Sequence, residues 1–170
     1  TGYGYQSWPP ERLLYESLAE KKVVEFADKV VTVSEDMTSY FFEKYQQKNC
    51  ITIPNGFDKD DIKMNGAVST SNKLIFTFAG TFYDKAEYLL EKLSDALEVL
   101  KLAHPIVYQN CEFNFYGNVS FDTSIYQNRH KKILKFKGVV AKDEVYNYIA
   151  SSDVCLLFLT DDLTYSFSTK

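Results

Sequence analysis

Lys73–Tyr83 reads KLIFTFAGTFY. Within it, Leu74–Ala79 has the apolar run of a buried strand, and Gly80 ends that run at an open loop. The helical stretch that follows, Ala86–Ala103, sets Leu89, Leu90, Leu93, Ala96, Leu97 and Leu100 on one face. Strand, glycine, loop and helix make the unit from which doubly wound α/β proteins build a site for a phosphate-bearing ligand.

Downstream the rhythm repeats. A strand over Glu112–Tyr116 ends in Gly117, and one over Ile133–Lys137 ends in Gly138. Asp143 is expected to cap a short helix reaching Ala150, with Val145, Ile149 and Ala150 turned inward. A strand over Val154–Leu159 follows, then Thr160-Asp161-Asp162. Strands separated by helical or long connections imply a parallel sheet with right-handed crossovers. The dinucleotide-fold order for four such strands is 3-2-1-4, with the switch point between the first and the fourth. The two further strands of that order have no counterpart in the chain.

Upstream, Pro9-Pro10 suits the start of a helix running to about Phe26. Lys29–Val33 reads as a short strand, and Ser34-Glu35-Asp36 as a helix start that carries Met37, Tyr40, Phe41 and Tyr45 at helical spacing. Cys50–Ile53 is a second short strand, closed by the turn Pro54-Asn55-Gly56. Two strands are too few to bury both faces of a parallel sheet. The polar run after them reads as a linker. The expected organisation is therefore residues 1–57 as the end of one Rossmann-like domain, 58–72 as a linker, and 73–170 as part of a second domain.

Composition narrows the function classes. At 45% hydrophobic, the 170 residues can form a real core. The 13 Tyr and 13 Phe fit sheet and helix–sheet packing better than exposed stacking surfaces. A net charge of −4 with scattered basic residues argues against nucleic acid as a partner, and Lys131-Lys132 reads as a solvated pair. Cys50, Cys111 and Cys155 stand far apart with no metal-ligand spacing, so buried reduced thiols and a reducing, cytoplasmic setting are expected. Asn118-Val119-Ser120 matches a glycosylation sequon, a triplet that also arises by chance. No apolar run approaches the ~20 residues of a membrane span.

Gly80, Gly117 and Gly138 each follow a strand, and parallel strands end on one edge of their sheet. The three glycines therefore converge, where backbone amides can approach a ligand or where each simply fits a tight turn. No GxGxxG, P-loop, HExxH or GxSxG is present. His104 and His130 have no visible partner and read as structural or exposed. Asp58-Lys59-Asp60 has the DxD form of metal-dependent sugar transfer but lies in the linker. Asp161-Asp162 falls beside the switch point, a better place for function.

Four segments carry a family resemblance: FADKVVTVSEDMTSYFFEKY, ITIPNGFD, LIFTFAGTFYDKAEYLLEKLSDAL and ILKFKGVVAKDEVYNYIASSDVCLLFL. In this order they resemble the C-terminal half of family-4-type glycosyltransferases of the GT-B fold. The resemblance implies an α/β, Rossmann-like doubly wound parallel sheet, incomplete, with a short α/β remnant of the preceding domain. It implies transfer of a hexose-type sugar from a nucleotide-diphosphate sugar to a glycan or lipid-linked acceptor, with retention. It implies no metal and no cofactor beyond the donor, and it allows peripheral membrane association of a longer protein.

Carried over by position, the Gly80-Thr81 backbone meets the donor diphosphate and Lys85 neutralises it. Gly117, Asn118 and Val139 lie near the nucleotide. Asp161 adjoins the donor, and Asp162 takes the place of the first acidic residue after the fourth strand. Thr81 departs from the arginine common at its position, Lys85 lies nearer the glycine than usual, and a second acidic residue eight positions on is missing. The chain thus reads as an incomplete transferase, inactive by itself. A non-catalytic nucleotide- or anion-binding module and a GT-B-fold sugar-nucleotide 2-epimerase are the rivals. A receiver-like domain ranks lower, since glycines replace the acids it needs at the ends of its first strands.

Overall fold

The computed structural model of the chain describes residues 8–46, 49–58, 72–83 and 86–158. The chain divides into two compact units between Gly56 and Phe57.

In the first unit, Pro10 stands in the opening turn of helix α1 (Pro10–Phe26), where a missing N–H costs no hydrogen bond. Ser34 Oγ accepts the Met37 N–H at 3.3 Å, and Glu35 and Asp36 face the positive end of α2 (Glu35–Tyr45). Strands β1 (Val30–Thr32) and β2 (Cys50–Thr52) pair in parallel, Val31 opposite Ile51. Hydroxyls bind this unit as much as apolar packing does. Thr38 Oγ1 lies 2.6 Å from Thr32 Oγ1 and 2.7 Å from Thr52 Oγ1. Glu20 on α1 accepts hydrogen bonds from Lys44 at 2.8 Å and from Tyr45 at 2.5 Å, which ties α1 to α2. Among the described residues, Val24 is its one buried apolar side chain.

The second unit holds a four-stranded parallel sheet: β3 (Leu74–Ala79), β4 (Cys111–Tyr116), β5 (Leu134–Gly138) and β6 (Val154–Cys155). Its order is β5-β4-β3-β6, the 3-2-1-4 arrangement expected of a doubly wound sheet. Side chains alternate across the sheet. Phe76, Phe78, Cys111, Phe113, Phe115 and Leu134 face the core with helices α3 (Glu87–Ala103), α4 (Pro105–Gln109) and α5 (Ser124–Arg129). Phe76 stacks on Phe113 at 4.2 Å and Phe115 on Phe136 at 4.6 Å, so aromatic pairs cross the ladders. The other face carries Thr77, Glu112, Asn114 and Lys135, and Lys135 donates to Glu112 at 2.5 Å. Helix α6 (Lys142–Ala150) is followed by Ser152, whose Oγ donates to Thr77 Oγ1 at 2.5 Å.

Several local expectations are corrected. The last strand shortens to Val154–Cys155: among the described residues its final ladder bond runs from the Leu156 N–H to the Thr77 carbonyl at 2.8 Å, and Leu156 and Phe158 pack against the core. Asp143 does not cap α6. Ala141 is the N-cap and offers no acceptor, and Glu144 Oε2 instead accepts the Ala141 N–H at 3.4 Å. Ala96 and Ala150 are exposed, and Ser94 takes the fully buried place on α3 between Leu90 and Leu97. The three thiols are free, but only Cys111 is buried. Cys50 is half-buried and Cys155 exposed, each on a short strand. α4 and α5 have no counterpart in the sequence reading, as both are too short to show a helical period.

Candidate functional site

The C-terminal ends of β3, β4 and β5 meet at a concavity of about 310 Å³. Its rim brings together Gly80, Thr81, Gly117, Asn118 and Val139, five residues that the sequence singled out. That volume is at the lower end of the ~300–1,000 Å³ usual for ligand pockets. Thr81 is half-buried, while Asn118 and Val139 are exposed. Lys85, Asp161 and Asp162 lie outside the described residues, as do Lys59 and Asp60 of the DxD triplet. Asp58 itself is exposed.

The glycines serve the fold before they serve a ligand. The Gly80 N–H donates to the Tyr116 carbonyl at 2.8 Å, and the Gly117 N–H to the Gly138 carbonyl at 2.8 Å. Neither amide is available to an anion. Gly117 has φ +119°, and a Cβ there would stand 2.0 Å from the Gly80 carbonyl oxygen. Its missing side chain lets two strand ends come together. Gly138 has φ +73° with open space around it, so its requirement is conformational alone.

The open donors belong to the residues one step further on. Among the described residues, the Thr81 and Asn118 N–H groups have no backbone partner. The loop that presents them is pinned from below. The Phe82 N–H donates to the Asn118 carbonyl at 2.7 Å, and the Ser120 N–H to the Phe82 carbonyl at 3.0 Å, a parallel bridge that extends the sheet past both glycines. The Phe82 ring is 1% exposed, edge-on to Phe78, Phe115, Phe121 and Phe158. Sequence reasoning missed Phe82, whose signal was an aromatic residue two places after a strand-ending glycine.

Behind the concavity Tyr116 stacks on Tyr148 at 4.4 Å and 10°. Burial pushes the Tyr116 phenol up, and the neighbouring Tyr148 adds to the shift. This fixes α6 over the end of β4. The electrostatics are otherwise mild. No cation or carboxylate lines the concavity among the described residues. Glu87 stands in the first turn of α3, and Asp143 and Glu144 in that of α6, which offsets the positive ends of both helices. The arrangement can bind a polar group through two backbone amides and one hydroxyl. Among the described residues no group of three or more His, Cys, Asp or Glu could hold a metal ion. No helix of the described residues is long and apolar enough to cross a membrane.

No family model matches the chain, and no curated protein matches it. Solved structures do. One is WaaG, a glycosyltransferase involved in lipopolysaccharide biosynthesis, with a TM-score of 0.60 at 14% identity. The match covers 91% of this chain and 44% of WaaG. The fold is that of GT-B Rossmann-like proteins. TarM matches with a TM-score of 0.59 at 13% identity, over 83% of this chain and 27% of TarM. The chain thus spans less than half the length of either GT-B neighbour.

Proposed function

We propose that this chain is the donor-binding part of a GT-B glycosyltransferase. The observation that carries the reading is the concavity at the C-terminal edge of β3–β5, with the Thr81 and Asn118 amides open towards it. Ligands of doubly wound sheets bind outside the carboxyl ends of the strands. The fold likeness to WaaG supports the same class of chemistry.

In this reading the donor is a nucleotide-diphosphate sugar of hexose type. The Thr81 N–H and hydroxyl meet its diphosphate, Asn118 and Val139 border the nucleotide, and Gly80 and Gly117 keep the strand ends close enough to shape the rim. Lys85 supplies the cation that a departing nucleoside diphosphate needs in place of a metal. Asp161 contributes to donor binding, and Asp162 is the catalytic residue. The acceptor is a glycan or a lipid-linked sugar, transfer retains configuration, and the longer protein works in the cytoplasm at or near a membrane surface.

Isothermal titration with UDP, GDP and ADP tests the donor site. Saturable heat with one of them is expected, and Thr81→Val should weaken it. No heat with any of the three at millimolar concentration overturns the assignment. Transfer by the longer protein separates a transferase from a binding module, and an epimerised donor would identify an epimerase.

A further inference from the structure

A second concavity, of about 580 Å³, opens at the opposite edge of the sheet. Lys73, Lys101, Arg129, Lys131 and Lys132 line it, with Tyr108 among its walls. These cations come from four separate places: the entry to β3, the last turn of α3, the end of α5 and the turn into β5. Basic residues that look scattered in the sequence are gathered here by the topology. Among the described residues no carboxylate lines the cavity, although the chain as a whole carries a net charge of −4.

Carboxylates stand beside it. Glu112 lies 3.6 Å from Lys73, Glu98 3.4 Å from Lys101, and Asp95 3.2 Å from Arg129. Glu98 and Asp95 each face one of the five cations, and Glu112 is shared between Lys73 and Lys135. Lys131 and Lys132 make no salt bridge among the described residues, so the cavity keeps a positive excess.

The turn that carries this pair is held rigidly. His130, next to Lys131, is 1% exposed. Its Nδ1 lies 2.8 Å from Tyr108 Oη, and its Nε2 lies 3.1 Å from both Ser94 Oγ and the Ser94 carbonyl. The His130 carbonyl accepts from the Ile133 N–H at 2.8 Å and the Leu134 N–H at 2.9 Å. The buried His130 cluster therefore fixes one end of a two-lysine turn over a concave floor, and the backbone bonds from Ile133 and Leu134 close the other. Solvation alone would not require that anchoring.

We propose that this cavity is a binding site for a phosphoryl group carrying two or more negative charges. Lysines bind such groups as point charges, and a guanidinium held by Ser94 and Asp95 adds directed donors without further ordering cost. The proposal is independent of the donor site. The strands between the two edges are five or six residues long, which separates them by roughly 16–20 Å. A group bound here cannot react at the other edge, and its effect is anchoring or control. The phosphoryl group can come from a soluble diphosphate or from an anionic lipid headgroup.

Amide NMR of the full chain titrated with inorganic pyrophosphate, joined to vesicle sedimentation, tests this. Saturable shifts at Lys131, Lys132 and Arg129 are expected. Lys131→Glu with Lys132→Glu should weaken them by at least about tenfold, since two attracting point charges are replaced by two repelling ones. Val139→Asp, at the far edge, should leave them intact. Both variants are exposed and leave the core untouched, and matching far-UV spectra would check this. Sedimentation with phosphatidic acid–phosphatidylcholine vesicles, whose phosphomonoester headgroup approaches two negative charges, but not with pure phosphatidylcholine, lost in the double variant, would assign the site to a headgroup. Pyrophosphate binding without sedimentation would assign it to a soluble diphosphate. Shifts confined to Gly80–Thr81 and Gly117–Asn118, or shifts that never saturate, combined with no charge-dependent sedimentation, overturn the proposal.

Discussion

Single residues in this chain are constrained by what their neighbours leave room for, and two glycines show it differently. At Gly117 a methyl group meets the Gly80 carbonyl oxygen at 2.0 Å, and the backbone must move. At Gly138 nothing lies within 4 Å, so alanine faces only the left-handed backbone, a cost of about 1–2 kcal/mol. Gly117→Ala should therefore destabilise the second unit by more than Gly138→Ala, on the order of 3 kcal/mol or above. Urea midpoints of the two variants would decide it, and equal losses would mean that the strand ends can part. His130 makes a second residue-scale case. Burial holds its imidazole below the usual range, against the opposing pull of Glu98 at 3.7 Å, and Lys101 and Arg129 add a smaller repulsion. The folded state thus prefers neutral histidine, while the unfolded chain takes up a proton near pH 6.5. Stability from this group is complete above that pH and is lost as pH falls towards the lower folded value. Between about pH 7 and about pH 5 the wild-type urea midpoint should drop. His130→Gln should flatten that part of the profile while lowering the midpoint at neutral pH. The sequence hid this residue, because its partners Ser94 and Tyr108 are 36 and 22 positions away.

At the scale of elements, periodicity served the long pieces and failed the short ones. α1, α3 and β3 are readable because an amphipathic stripe, a proline start or an apolar run extends over many residues. α4 and α5 have five and six residues, less than two turns, and carry no period to read. β6 looked longer than it is because the apolar run continues through Leu156 and Phe158, which pack against the core where the ladder to β3 ends at the Leu156 N–H. The loop after β3 is the element on which the candidate site depends. The buried Phe82 ring and the short bridge from Phe82 to Val119 anchor its described residues. Phe82→Ala removes a side chain in contact with four other aromatic rings and should cost about 3–5 kcal/mol. Phe82→Leu keeps most of the volume and should cost less than half of that. If loop anchoring matters for ligand, Phe82→Leu will weaken nucleotide binding while the urea midpoint shifts little. Binding that follows stability in both variants would assign Phe82 to packing alone.

For the whole molecule, the fold class was legible because the pattern of strands and helices repeats along the chain, whereas convergence in space was only half legible. The five rim residues of the first concavity come together because parallel strands end on one edge, a rule that the sequence can use. The basic cavity at the other edge depends on where α3 and α5 lie against the sheet, which no spacing along the chain encodes. The two units also differ in how they hold together. Among the described residues the second has a connected core of twelve buried residues, Phe78, Leu90, Phe113 and Phe115 included. In the first, the described residues bury only Val24, Thr32 and Ser34, and Leu14, Leu18, Val23, Phe26, Val31 and Ile53 are exposed. Apolar burial is the main favourable contribution to folding, so the first unit should open far more often. Its strand amides still have partners, the Val30 N–H on the Asn49 carbonyl at 3.0 Å and the Ile53 N–H on the Thr32 carbonyl at 2.8 Å. Hydrogen exchange at these two amides therefore reports opening, not a missing bond. They should exchange at least about tenfold faster than Phe113, whose N–H is bonded to the Ile133 carbonyl at 2.8 Å within the core. Equal protection would show that the hydroxyl chain of Thr32, Thr38 and Thr52 stabilises the first unit as well as an apolar core does the second.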